Sequence, residues 1–183
     1  MYVPSSEERV PKFRDQPFTN CKKLSQMITT PYKTTFKTLA DMQDYVGKEI
    51  GLSNWLNIVQ RDINTFATLT KNEQWIHIDP EKCAKYSPYK KPIAHGFLVL
   101  SYAAHFAEDC IAFENVSMGV NYGLDKVRFT NATPVGAKLR GRLSLMEFEP
   151  IKGGAKYKLK IIMELQGQEK PACIAEWIGI AYN

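Results

Sequence analysis

No stretch of this chain approaches the roughly 18 consecutive apolar residues that a membrane-spanning helix needs, so a bilayer is not expected among its surroundings. Residues 1–15 are polar and punctuated by Pro4 and Pro11. They lack the apolar run of a secretory signal, so export is not expected either. The four cysteines, Cys21, Cys83, Cys110 and Cys173, are widely spaced and form no CxxC pair, which leaves no zinc or redox motif. Free thiols in a reducing cytoplasm are the expectation. The charged residues form no block of one sign: 24 Lys and Arg are interleaved with 19 Asp and Glu, for a net charge of +5. A nucleic-acid interface is therefore not expected, although a mild positive field suits an anionic ligand. Internal repeats and low-complexity tracts are also missing.

The 183 residues suffice for one domain with a full core, and the hydrophobic and charged fractions, 44% and 23%, are those of ordinary globular proteins. Residues 1–36 carry Pro4, Pro11, Pro17 and Pro31 without a sustained apolar period. They read as an extended arm with one short helix near residues 21–28, ahead of a single domain over 37–183. A short helix is expected over 39–46, stopped by Gly47, and a first strand over 53–60. Helical spacing of Ile63, Phe66, Ala67 and Thr70 predicts a helix over 62–70. Asp79-Pro80-Glu81 reads as a helix start, with Asp79 as the cap.

Residues 97–111 are apolar nearly all round, which predicts a helix buried on most faces. The C-terminal half then changes period. Residues 138–145 and 156–165 alternate apolar and polar, as half-buried antiparallel strands do, with their lysines and arginines expected in water. Residues 151–154 supply a turn, and 172–182 read as a strand covered on both sides. One buried helix followed by such strands is satisfied by a twisted antiparallel sheet wrapped around the helix. An α+β sandwich of another topology fits these patterns almost as well.

Four separated segments narrow this. Trp75-Ile76-His77-Ile78-Asp79-Pro80, Ile93-Ala94-His95-Gly96-Phe97-Leu98, the run from Asn121 to Phe129, and Lys170-Pro171-Ala172-Cys173 occur in this order. Together they resemble the MaoC-like dehydratases, the (R)-specific enoyl-CoA hydratases, in their nodulation-protein-N branch. The resemblance runs from about Tyr45 to the C-terminus. It implies an α+β hot-dog fold, an antiparallel sheet around one long buried helix, and a homodimer with the two sheets joined edge to edge. The implied reaction is reversible addition of water to a trans-2-enoyl thioester carried on CoA or an acyl carrier protein, without metal or redox cofactor. A non-catalytic acyl-thioester binder and a hot-dog thioesterase are the rivals.

That chemistry needs a base for water, an acid for the α-carbon and donors for the enolate oxygen. By resemblance His77 is the acid/base residue and the Gly96 N–H the oxyanion donor. His95 orients the loop that carries Gly96. His105, in the middle of the apolar helix, reads as a core or interface residue. The family's general-base aspartate, five residues before the histidine, is Asn72 here, and Lys71 stands where a glycine is expected. An amide holds water but does not take up a proton at neutral pH. Three explanations stay open: a thioester binder with little or no activity, a carboxylate supplied by Glu73, or a reaction needing only His77 and the oxyanion donors. Lys126 and Arg128, with Lys90 and Lys91, are candidates for the phosphates of CoA.

Overall fold

Everything else in the domain is arranged around one helix, α4 (Gly96–Cys110). A computed structural model describes residues 29–183; the helix expected near 21–28 lies outside the described residues. In chain order the elements are β1 (Tyr32–Phe36), a 3-10 turn (Leu39–Tyr45), β2 (Glu49–Leu52), β3 (Leu56–Asn57), α1 (Gln60–Thr70), α2 (Trp75–Ile78), α3 (Pro80–Tyr86), α4, β4 (Ile111–Phe113), β5 (Met118–Phe129), β6 (Lys138–Ile151), β7 (Gly154–Leu165) and β8 (Cys173–Tyr182). The strands form one curved sheet in the order β4-β1-β2-β6-β7-β8-β5, with β3 added beside β6. All pairs are antiparallel except the short parallel pair of β1 and β4.

The strict alternation of β6 and β7 does what the sequence predicts on the concave side. Leu139, Leu143 and Leu145 of β6, with Leu159, Ile161 and Met163 of β7, are fully buried with Phe106 of the helix. Each such side chain contributes about 1.5–3 kcal/mol relative to exposure. The helix approaches closely because β6 has no side chain at Gly141, where a Cβ would lie 2.6 Å from that of Phe106. Gly51 of β2 leaves the same room for Cys110.

Four expectations need correction. The strand expected over 53–60 shrinks to β3, and pairing occurs earlier, in β2. The Ser53 N–H still donates to the Gly141 carbonyl (2.9 Å), but the Gly141 N–H donates back to Ser53 Oγ (2.9 Å) rather than to a backbone carbonyl. Residues 32–36, read as part of the arm, form β1. The long strand β5 was not evident, because bulges between Asn121 and Gly123 and between Leu124 and Lys126 twice reset its alternation. Finally, Arg140 and Arg142 are not in water. They lie on the convex face of the sheet, 8% and 3% exposed. Glu164 bridges them, accepting from Arg140 Nε (2.7 Å) and Arg142 Nε (2.6 Å), and Glu49 accepts from Arg142 Nη1 at 2.9 Å. Trp55 stacks beneath the Arg140 guanidinium at 4.3 Å. Burial alone would raise the Glu164 pKa, but the bonds from both guanidiniums reverse this and hold it below the ordinary carboxylate value.

The helix is buried on one side through Leu98, Val99, Ala103, Phe106 and Cys110. Its other side carries Phe97, 68% exposed, and the exposed Ser101, Ala104, His105 and Glu108. His105 is therefore outside the core of this chain. At the sheet edge, β5 exposes Met118, Val120, Leu124 and Phe129, along with Tyr122 at 62%. Cys83, Cys110 and Cys173 are free and buried, and no helix among the described residues is long and apolar enough to cross a membrane.

Candidate active site

The candidate residues gather where α1, α2 and the start of α4 meet. Helix α1 ends at Lys71, whose φ of 60° is the left-handed conformation that commonly closes a helix and suits glycine best. This is the position where the resemblance leads one to expect glycine. The loop over 72–74 then turns into α2, which places His77 in the interior at 8% exposure. Gln60 of α1 steadies that turn by donating from Nε2 to the His77 carbonyl (2.8 Å). Asp79 accepts from the Lys82 N–H at 2.8 Å, so its carboxylate caps α3 as expected.

His77 Nδ1 lies 2.7 Å from the Ile93 carbonyl oxygen. A carbonyl only accepts, so Nδ1 carries the hydrogen and Nε2 keeps a lone pair. Burial depresses the His77 pKa, the Ile93 bond partly offsets this, and His95 lowers it further. The imidazole is therefore neutral at pH 7 and basic at Nε2.

His95 stacks on His77, with ring centroids 3.7 Å apart, and the tilted Phe66 ring lies 5.1 Å from that of His95. His95 Nε2 donates to the backbone carbonyl of Asn72 at 2.9 Å. This one bond ties the loop containing Asn72 to the turn that starts α4. His95 Nδ1 is left buried without a hydrogen-bond partner. Asn72 takes part in this contact through its backbone, while its side chain and that of Glu73 are on the exposed loop.

Gly96 is the first residue of α4, and the leading N–H groups of a helix have no acceptor within it. It lines a cavity of about 280 Å³ whose walls include Tyr89, Ile93, Val99, Phe129 and Thr133. A Cβ at position 96 would sit 3.1 Å from the Phe129 ring, so glycine keeps both the cavity and the N–H open. His77 is joined to Gly96 through the stacked His95 but is not part of that cavity wall. Lys126 and Arg128 do not line it either. In their register with β8 they fall on the convex face, where Lys126 pairs with Glu176 (3.2 Å) and Arg128 Nη1 donates to the Val127 carbonyl. Gln60, Phe66, Tyr89 and the 130–133 loop escaped sequence reasoning, because none belongs to a motif and only the fold brings them near His77 or Gly96. Among the described residues no three His, Cys, Asp or Glu side chains are grouped as a metal would require.

An antiparallel sheet curled around one long helix, with a histidine loop and a glycine at the helix start, defines a hot-dog protein of the dehydratase type. A model of the MaoC-like domain matches residues 41–164, and this chain belongs to that family. The 3-hydroxyacyl-thioester dehydratase Z of Mycobacterium tuberculosis is 38% identical over 145 residues, covering 79% of this chain and 95% of that protein. Nodulation protein N of Rhizobium meliloti is 36% identical over 146 residues, with 79% and 91% covered. Among solved structures, a monoamine oxidase regulatory protein from Archaeoglobus superposes with a TM-score of 0.66 at 23% identity, covering 81% of this chain and 96% of that one. An unliganded (R)-hydratase from Pseudomonas aeruginosa gives 0.57 at 21% identity, with 71% and 78% covered. The expected family and the expected α+β hot-dog fold both hold.

Proposed function

We propose that this protein hydrates trans-2-enoyl thioesters, and dehydrates the corresponding (R)-3-hydroxyacyl thioesters, with His77 as its only proton-transfer group. The observation that carries this reading is the His77 tautomer. With Nδ1–H committed to the Ile93 carbonyl, the Nε2 lone pair is free to take a proton from water as its oxygen attacks the β-carbon. Electrons of the double bond move toward the thioester carbonyl, whose developing oxyanion the Gly96 N–H stabilises. The imidazolium then returns its proton from Nε2 to the α-carbon, regenerating the neutral ring. The same nitrogen serves both steps, so both groups add on one face of the double bond. Asn72 holds the water without taking its proton, and Glu73 is a solvated side chain.

This reading takes the protein to be a homodimer in a reducing cytoplasm. The unpartnered edge of β5 and its apolar side chains would pair with those of a second copy, and the exposed side of α4 would be covered with them. The second copy would also extend the cavity beside Gly96 toward His77. A second reading, a thioester-binding protein without turnover, is favoured by the amide at position 72.

The test is a hydration assay with crotonyl-CoA, read as loss of enoyl absorbance with the thioester intact. Weak wild-type activity is expected. Asn72→Asp, which adds a second base, should raise it at least tenfold, or about 1.4 kcal/mol of transition-state stabilisation. His77→Ala should abolish activity in both backgrounds. Release of free thiol would instead mark a thioesterase. Tight acyl-CoA binding with no turnover, even in Asn72→Asp, would favour the binder. Activity lost in Glu73→Gln would move the base to Glu73.

A further inference from the structure

The cavity beside Gly96 has a deep end and a rim. Ala172, Thr133, Val99 and Ala94 are 5% exposed or less, whereas Tyr89 and Phe129 are 45% and 47% exposed. Thr133 is the one polar residue among those four. Backbone contacts place it there. Its carbonyl accepts from the Ala94 N–H at 2.8 Å, and the next residue, Pro134, forms a bridge with Ile93. Ile93 is also the residue whose carbonyl holds His77 Nδ1, so the cavity floor and the histidine share one support.

The 130–133 loop brings three hydrogen-bonding side chains to the cavity, and two of them are committed elsewhere. The Thr130 hydroxyl donates to the Pro171 carbonyl (2.5 Å), and Asn131 Nδ2 donates to the Lys170 carbonyl (3.2 Å). Thr133 Oγ1 makes no hydrogen bond among the described residues. The one side-chain polar atom among them that is both unpaired and wholly enclosed is His95 Nδ1. Thr133 Oγ1 is therefore not enclosed, and the open space that this buried residue borders is the cavity. Among the described residues no charged side chain lines that space.

We propose that Thr133 reads the acyl group, and that this protein takes thioesters whose acyl chain carries a neutral hydrogen-bonding oxygen, a hydroxyl or keto group, beyond the reacting double bond. This rests on the reading of the cavity as a thioester site and names the substrate within that class. A plain alkyl chain at the deep end covers the hydroxyl without replacing its hydrogen bonds to water, and an unpaired buried polar group is costly. A hydroxyl or keto oxygen replaces them, because a threonine hydroxyl both donates and accepts. An ionised group finds no counter-charge on these walls. A site that hydrogen-bonds its substrate rejects the analogue lacking the polar atom far more strongly than a pocket distinguishes one methylene.

The experiment uses trans-2-pentenoyl-, hexenoyl- and heptenoyl-CoA, each paired with the ester in which a hydroxyl replaces the terminal methyl. At the chain length that reaches Thr133, kcat/KM in the wild type should favour the hydroxylated ester by about tenfold or more. Thr133→Val, which keeps the shape of the side chain, should remove or reverse that preference, and Thr133→Ser should retain it. Thr133→Ala takes the place of Thr133→Val if the latter does not fold. A wild type that treats both members of every pair alike, or prefers the alkyl ester throughout, overturns the proposal. So does a Thr133→Val that lowers both members of a pair equally, which marks a structural role. If the wild type hydrates none of the esters, the hydratase reading fails by itself. The acyl preference is then judged by calorimetry with the same pairs. Tighter binding of a hydroxylated ester that Thr133→Val abolishes sustains it, and equal binding or none rejects it.

Discussion

The buried arginines and the buried histidines of this domain are held on opposite principles. On the convex face Arg140, Arg142, Glu164 and Glu49 are charged, and their charges are matched by one another at 2.6–2.9 Å. At the start of α4 His77 and His95 carry no paired carboxylate, and each uses one ring nitrogen on a backbone carbonyl. The second nitrogen of His95 has no partner, and that of His77 holds an unused lone pair. A saturated cluster resists change and fixes the positions of β2, β6 and β7. An unsaturated one keeps capacity for a substrate, and it costs stability, since an unpaired buried acceptor is worth about 1–3 kcal/mol against the fold.

Breaking the two clusters should therefore have different readouts. The largest effect is expected for His77→Gln, which keeps a donor for the Ile93 carbonyl but cannot carry a proton. We expect a fall in kcat of about 10²–10⁴ with little change in denaturation midpoint. Glu164→Gln should do the reverse. It leaves Arg140 without a carboxylate partner and Arg142 with Glu49 alone, so unfolding in urea should show a loss on the order of 3 kcal/mol, with kcat per folded molecule unchanged.

A pH series sharpens the contrast. His77 has its pKa lowered below the ordinary 6.5, so it stays neutral until the pH drops beneath that value. Activity should be flat near neutrality and fall on the acid side as Nε2 becomes protonated. Glu164 has its pKa lowered below 4.5, so its contribution to stability is complete above that pH and is lost as pH falls through the lower folded value. Activity and circular dichroism measured on the same samples across the acid range report on the two groups independently. The smallest effect belongs to Lys71→Gly, which relieves a left-handed side-chain conformation and should stabilise the protein by about 1 kcal/mol at most.

The same division explains what could be read in the sequence. The helix α4 was legible because its run is apolar nearly all round, and the hairpin of β6 and β7 because its burial follows a period of 2. The histidine loop and Gly96 were legible because chemistry confines residue types to short motifs. Bulged β5 was not, because an inserted residue flips the alternation. Nor were Arg140 and Arg142, whose position in an alternating strand looks like a solvated face unless their partners in β2 and β7 are known. Asn72 was noticed for its side chain, yet in the fold its backbone carbonyl makes the contact that joins the two halves of the site.

The three buried thiols have a consequence for how this protein opens. Burial pushes Cys110 up to about 12 and Cys173 up to about 11, and raises Cys83 in the same direction. In the closed protein there is almost no thiolate to react at these three positions. A thiol reagent can modify them only during excursions that expose them, so the labelling rate at each reports the frequency of its own excursion. The three sit on α3, at the last turn of α4 and at the first residue of β8. The chain thus carries built-in clocks on its outer helix, its central helix and its sheet, readable by mass spectrometry without adding a probe.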